Sequence, residues 1–172
     1  MTSADIRLLA PDEAVLYRDI RLEGLQQDAD AFASTFAHES AMPLAWFAER
    51  IVKGNVLGAF VRGELAGVAG YWLQEGEKES HKATLWGMYV RASARGAGLG
   101  ERLIEAAVKH VTGHVEQLQL GVATGNSAAL RLYKRTGFSE YGREMKALKQ
   151  EGRYMDEILM VRFLEEICQK RM

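Results

Sequence analysis

The sequence predicts an α/β protein, a mixed sheet with helices on its faces, and three observations support this. Hydrophobic spacing switches between strand and helix periods in the order β-α-α-β-β-β-α-β-α-β-β, with no internal repeat. Helices directly follow the third and fourth of the later strands, which calls for at least one parallel crossover. The chain has 172 residues, 48% of them hydrophobic, and only two prolines. That suits a single domain over 1–172, able to bury roughly 70% of its unfolded surface.

Residues 6–9 read as a short strand. Pro11-Asp12-Glu13 opens a helix, with proline and two acids in the first turn where the dipole favours them. It runs to about Gln27, and its apolar positions are only loosely periodic. Residues 28–42 form a polar, Ala-rich connection containing Phe32 and Phe36. Connections this long in compact domains are usually either functional or contain an element the pattern does not reveal. Pro43 opens a second helix with Leu44, Phe47 and Ile51 on one face. Residues 56–62 and 65–73 are apolar runs, and Gly63-Glu64 between them signals a two-residue hairpin. Residues 74–81 form a solvated loop before a strand over 83–90, interrupted by Gly87. A glycine inside a strand marks a bulge or a close backbone approach.

A helix over 98–112 follows, with Leu103, Ile104, Ala107, Val108 and Val111 inward and Glu105–Lys109 spaced as an i,i+4 ion pair. Then come a strand (115–123), a helix (126–136) stopped by Gly137, and strands over 138–143 and 154–164. The apolar, charge-spaced final strand suits a homodimer interface as well as a sheet.

Several function classes fall away. Twenty-two basic residues against 23 acidic give a net charge of -1, so bulk charge points to neither nucleic acid nor an anionic membrane as partner. The first ten residues carry Asp5 and Arg7 and no apolar core, unlike a signal peptide. No run approaches 18 uncharged apolar residues. The single cysteine, Cys168, admits no intramolecular disulfide and reads as an incidental thiol; a cytoplasmic setting fits. His110 and His114 have metal-pair spacing, but Gly113 interrupts the helix between them and no glutamate follows the first. They read as surface residues at a helix end, and no metal is expected.

The concentrated signal is Arg95-Gly96-Ala97-Gly98-Leu99-Gly100, between a strand and an amphipathic helix. Three glycines in five residues leave backbone N–H groups uncovered and permit positive-φ turns. A helix starting there adds the positive end of its dipole, a setting for phosphate or pyrophosphate. Arg91 and Arg95 add charge beside it. A Walker A loop would end Gly-Lys-Ser/Thr, yet Gly100 is followed by Glu101-Arg102. A dinucleotide fingerprint from Gly96 needs a glycine where Glu101 stands.

The loop does match the acyl-CoA signature Arg/Gln-x-x-Gly-x-Gly/Ala of the GNAT N-acetyltransferase superfamily. A second stretch, Asn126 to Phe138, resembles that family's Asn-x-x-Ala-x-x-x-Tyr-x-x-x-Gly-Phe, with Asn126, Ala129, Tyr133, Gly137 and Phe138 in place. The chain is identified as similar to this superfamily over most of its length, and the element order agrees. The resemblance implies a GNAT-like mixed, mostly antiparallel central sheet flanked by helices. It also implies an acetyl-CoA-dependent N-acetyltransferase that works without a metal on a small-molecule or peptide amine.

Residue by residue, the resemblance implies that the backbones of Met88, Tyr89 and Val90 carry the pantetheine arm, as an added strand would. A bulge at Gly87–Met88 would aim the Met88 N–H at the thioester oxygen. Arg95, Gly96, Ala97, Gly98, Leu99 and Gly100 would hold the pyrophosphate. Asn126, also a good helix N-cap, would touch the cofactor arm. Tyr133 would be the general acid that protonates the departing thiolate, although its spacing also suits a core tyrosine. Lys134 and Arg135 are within reach of adenosine phosphates, but solvated helix charges are the default reading. The strand before the loop lacks an acid, so Glu39, Asp156 and Glu157 are the general-base candidates, Glu157 foremost, acting through water. Residues 28–42 and a turn over 145–153 would wall the acceptor site. The alternative is a non-catalytic acyl-CoA sensor that keeps the cofactor site without turnover.

Overall fold

A computed structural model describes residues 3–165. One seven-stranded sheet has the order β1-β2-β3-β4-β5-β7-β6. Its strands are β1 (Ala4–Leu8), β2 (Leu57–Val61), β3 (Glu64–Leu73), β4 (Lys82–Val90), β5 (Gln117–Ala123), β6 (Ser139–Gln150) and β7 (Arg153–Phe163). Every neighbouring pair is antiparallel except β4–β5. The helices are α1 (Ala14–Gln27), α2 (Phe36–Ser40), α3 (Leu44–Lys53), α4 (Leu99–Val111) and α5 (Ser127–Arg135). The expected mixed, mostly antiparallel sheet is thus present, with α2 and three short 3-10 turns added to the element order.

Two buried clusters cover the two faces of the sheet. One packs Leu103, Ile104, Ala107, Val108 and Val111 of α4 against Leu57, Leu85, Leu118, Leu120 and Met160. The other packs Tyr17, Ile20, Phe47 and Ile51 of α1 and α3 against Phe60, Val68 and Tyr89.

Four details differ from the sequence expectation. The β2–β3 turn is Arg62-Gly63, not Gly63-Glu64, because Val61 pairs with Glu64. Both turn residues have positive φ, 52° and 82°, as a type I′ turn requires. Glu105 bonds Arg162, with Nη1 donating to Oε1 at 2.6 Å, in place of the expected Lys109. The supposed turn over 145–153 is mostly strand: β6 continues to Gln150 through an irregularity between Glu144 and Leu148. The turn itself is Glu151-Gly152, again at positive φ. Finally, β7 is paired on both sides, by β5 and β6, so its edges are closed to a second copy, and the sheet's free edges are those of β1 and β6. Cys168 lies outside the described residues.

Among the described residues, no helix is long and apolar enough to cross a membrane, and no group of three or more His, Cys, Asp or Glu side chains gathers in metal-binding geometry.

Candidate active site

The site begins with a defect in β4. Between the pairs Gly70↔Trp86 and Val68↔Tyr89, β4 advances three residues while β3 advances two. The extra residue sits at Gly87, whose φ of 63° is left-handed, a conformation glycine adopts freely. Side chains change sides across it. Leu85 packs with the α4 cluster and Trp86 with the α1–α3 cluster, then Met88 returns to the α4 side and Tyr89 to the other. The Trp86 indole is slotted over Gly70, where a Cβ would meet it at 2.4 Å. Its Nε1–H donates to the Gly54 carbonyl at 3.1 Å.

Strand β4 then parts from β5. Their ladder covers only Lys82↔Gln117 to Thr84↔Gln119, yet β4 runs on to Val90 and β5 to Ala123. From Leu85 onward the β5-facing edge of β4 has no strand partner, which is the arrangement an extended ligand can complete. A cavity of about 1110 Å³ opens at this parting. Met88, Tyr89 and Val90 line one wall; residues 123–126 with Ala129 and Leu132 line the other; residues 26–31 and 153–156 close its ends.

The glycine loop lies beside that cavity. Gly96 and Gly98 have φ of 81° and 74°, with nothing within 4 Å of where a Cβ would be. Gly98 is the N-cap of α4 and supplies no side-chain cap. The first intrahelical bond runs from Arg102 N–H to the Gly98 carbonyl at 3.1 Å. The N–H groups of Leu99, Gly100 and Glu101 therefore lack helical acceptors, the usual state of a helix start, and anions bind such ends. Arg95 and Gly100 line the cavity. The Leu99 side chain is buried in the α4 core, so only its backbone is free for a ligand. Ala97 with Leu99 lines a second cavity, of about 800 Å³.

The basic residues are more engaged than their sequence positions suggest. Arg95 donates through Nε to the Val90 carbonyl at 2.9 Å and through Nη2 to Asp28 at 2.8 Å, tying the loop to the chain after α1. Arg91 pairs with Glu23, Lys134 with Glu140, and Arg135 with Glu101. Asn126 is the N-cap of α5, its Oδ1 accepting from the Ala129 N–H at 3.1 Å, and it also lines the cavity.

Tyr133 is 8% exposed and meets Phe138 edge-on at 5.8 Å. Burial pushes its hydroxyl up to about 12. The cavity-facing residues of α5 are Ala128, Ala129 and Leu132.

The three candidate carboxylates separate cleanly. Glu39 accepts both Arg21 Nε and Nη2 and is buried, and the paired guanidinium, outweighing burial, holds its carboxyl below the usual range. Asp156 lines the cavity but accepts the Lys146 N–H at 2.7 Å and Arg143 at 2.7 Å, and these bonds also hold it low. Glu157 is half-buried and raised, first by burial and then by the charge of Glu144. It points to the opposite face of β7 from Asp156, over Gly121.

Sequence reasoning named Asp156 and a wall ending at residue 153, but it missed residues 123–125, Tyr154 and Met155 of the cavity wall and the pairing of Arg21 with Glu39. A lone arginine on the Tyr17–Ile20–Gly24 stripe of α1 was the available signal for that pair.

A parted parallel strand pair, a left-handed bulge and an uncapped glycine-led helix thus meet at the open edge of one mixed, mostly antiparallel sheet flanked by helices. Residues 22–138 match the profile of the Acetyltransferase (GNAT) family, and the chain belongs to that family. It is similar to the L-methionine sulfoximine/L-methionine sulfone acetyltransferases of Pseudomonas paraeruginosa and Pseudomonas aeruginosa, each 28% identical over 139 residues, 74% of this chain and 79% of the relative. Its fold is that of an acetyltransferase of the GNAT family from Streptococcus pneumoniae, with TM-score 0.81 and 23% identity over 95% of this chain and all of the other. It is likewise that of yncA from Salmonella typhimurium, solved with its cofactor acetyl-CoA, with TM-score 0.76 and 19% identity over 96% of each chain.

Proposed function

We propose that this protein transfers an acetyl group from acetyl-CoA to a primary amine by direct attack on the thioester. The observation that carries this is the parting of β4 from β5 beside the Gly87 bulge, over a cavity reaching from the start of α4 to the start of β7. The residues present fit acetyl-CoA. The free N–H groups from Gly96 to Gly100 suit a pyrophosphate, and the unpaired β4 edge at Met88, Tyr89 and Val90 suits the amides of a pantetheine arm. Asn126 flanks the same cleft. The Salmonella neighbour with acetyl-CoA supports the cofactor, and the Pseudomonas relatives support a small-molecule amine acceptor.

In the reaction, the amine lone pair attacks the thioester carbonyl carbon and the oxygen takes the displaced electron pair. The Met88 N–H at the bulge donates to that oxygen. As the C–S bond breaks, Tyr133 protonates the departing sulfur, its raised pKa keeping the proton available at neutral pH. Glu157 takes the amine proton through a water; its raised pKa makes it a stronger base than an ordinary carboxylate.

One observation favours a second reading, an acyl-CoA sensor without turnover. Neither Tyr133 nor Glu157 lines the cavity wall, where Leu132 and Asp156 stand. A panel of amines incubated with acetyl-CoA and followed by thiol release decides between them. An enzyme releases thiol with at least one class of amine. Tight CoA binding with no thiol release from any amine favours the sensor.

A further inference from the structure

Helix α1 turns a charge toward the sheet. The Arg21 side chain is 5% exposed and that of its partner Glu39, on α2, is 1% exposed. Nε donates to one carboxylate oxygen at 2.9 Å and Nη2 to the other at 2.8 Å, a bidentate fork that fixes the plane of the guanidinium. The Phe32 ring lies 4.8 Å from the guanidinium carbon and the Trp86 ring 5.8 Å. This uses two of the three nitrogens. The third, Nη1, is enclosed and has no hydrogen-bond partner among the described residues. Buried donors are nearly always paired, so an unpaired one points to a purpose.

Nη1 faces the bulge. It stands 3.5 Å from the position that a Cβ on Gly87 would take, and among the described residues other than Gly87 and its two chain neighbours no other atom comes within 4 Å of that point. Replacing a buried ion pair with apolar residues often stabilises a protein, so stability gives little reason to keep this one. Its geometry gives a better reason. Glu39 grips the far edge of the guanidinium, and the near edge presents a fixed N–H to the back of the left-handed peptide.

We propose that Arg21, locked by Glu39, is a positioning residue for the oxyanion-binding bulge. Nη1 backs the Gly87 peptide and keeps the Met88 N–H aimed at the thioester oxygen. This rests on the reading above, that the bulge receives the thioester. Donors and charges fixed before the reaction stabilise a developing oxyanion without reorganising. Arg21 touches no reacting atom and acts through Met88.

The test uses backbone amide NMR of the full chain with a non-transferable acetyl-CoA analogue in which a methylene replaces the thioester sulfur, alongside steady-state kinetics. In the native protein, the amides of Gly87 and Met88 and those of Gly96, Gly98 and Gly100 shift together on analogue binding. In Arg21→Met, the loop glycines respond as before while Gly87 and Met88 lose their response. There kcat falls by about tenfold or more, below the loss of a direct oxyanion donor, and KM for acetyl-CoA stays within about twofold. Glu39→Gln, which keeps the size of the partner, is read the same way if Arg21→Met does not fold. Native responses at Gly87 and Met88 in the folded variants, or a raised KM at unchanged kcat, overturn this role for Arg21 alone. Loop glycines that stay silent in the native protein overturn the cofactor reading, and this inference with it.

Discussion

The Glu157 carboxylate lies over Gly121, its Oε2 2.7 Å from where a Cβ on that glycine would stand. Only a residue without a side chain leaves that space. The carboxylate is raised, first by burial and then by Glu144, whereas its neighbour Asp156 is held low by the Lys146 N–H and Arg143.

This contrast sets a pH profile. A base works when ionised, so activity climbs with pH through a limb above the ordinary Glu value of about 4.3. Glu157→Gln removes that limb and lowers kcat by about 100-fold, within the span assigned to general catalysis. Stability moves the other way. Because the folded pKa exceeds the unfolded one, the folded state holds more protons between the two, and stability falls as pH rises through that window. Glu157→Gln is accordingly more stable than the native protein at neutral pH, as urea unfolding at two pH values will register.

Tyr133→Phe removes a proton donor while keeping the ring against Phe138. Turnover drops by about 100-fold, and CoA affinity measured by calorimetry is unchanged. Native turnover in this variant takes Tyr133 out of the mechanism.

Gly98→Ala forces a side chain into φ of 74°, at a cost of about 1–2 kcal/mol in urea unfolding. No atom stands within 4 Å of the new methyl, so the strain is conformational, and it falls on the proposed phosphate loop. KM for acetyl-CoA rises by about tenfold or more, an order of effect equal to the strain. An alanine at exposed Gly142, outside the cavity, with no positive φ and only an ordinary contact to Leu159 at 3.6 Å, leaves the loop strain unchanged and serves as the control.

Glu13 accepts both Arg7 Nη atoms, at 2.9 and 2.7 Å, and the Ala10 N–H at 2.8 Å. Its carboxyl is lowered to about 2, chiefly by the Arg7 bond. A depressed folded pKa gives stability that is present above the unfolded value and lost as pH falls toward about 2. With Arg7 45% exposed, the effect is at most about 1 kcal/mol. Glu13→Gln flattens that acid-side loss in chemical denaturation.

Which parts were legible in the sequence follows from where each residue's reason lies. The glycine loop and the Gly87 bulge were readable because positive φ is a local demand that sequence states directly. Helix α4 was readable because its buried stripe is wholly apolar. Helix α1 showed weak periodicity because its buried stripe, Ala14, Tyr17, Ile20, Arg21, Gly24 and Leu25, includes an arginine neutralised only by Glu39, 18 residues on. Strand β6 was cut short because it is an exposed edge, lacking the apolar alternation of a half-buried strand. Tyr154 and Met155 of the cavity wall depend on that same hairpin, so they escaped notice with it.

The most direct test of the central claim follows the acetyl group itself. Acetyl-CoA carrying a carbon label in its acetyl group is incubated with the protein and the amine panel, and the label is traced by NMR. The label is predicted to appear in an amide on a primary amine, in step with free thiol. Label that stays on the thioester across every amine, while CoA binds tightly, contradicts the account.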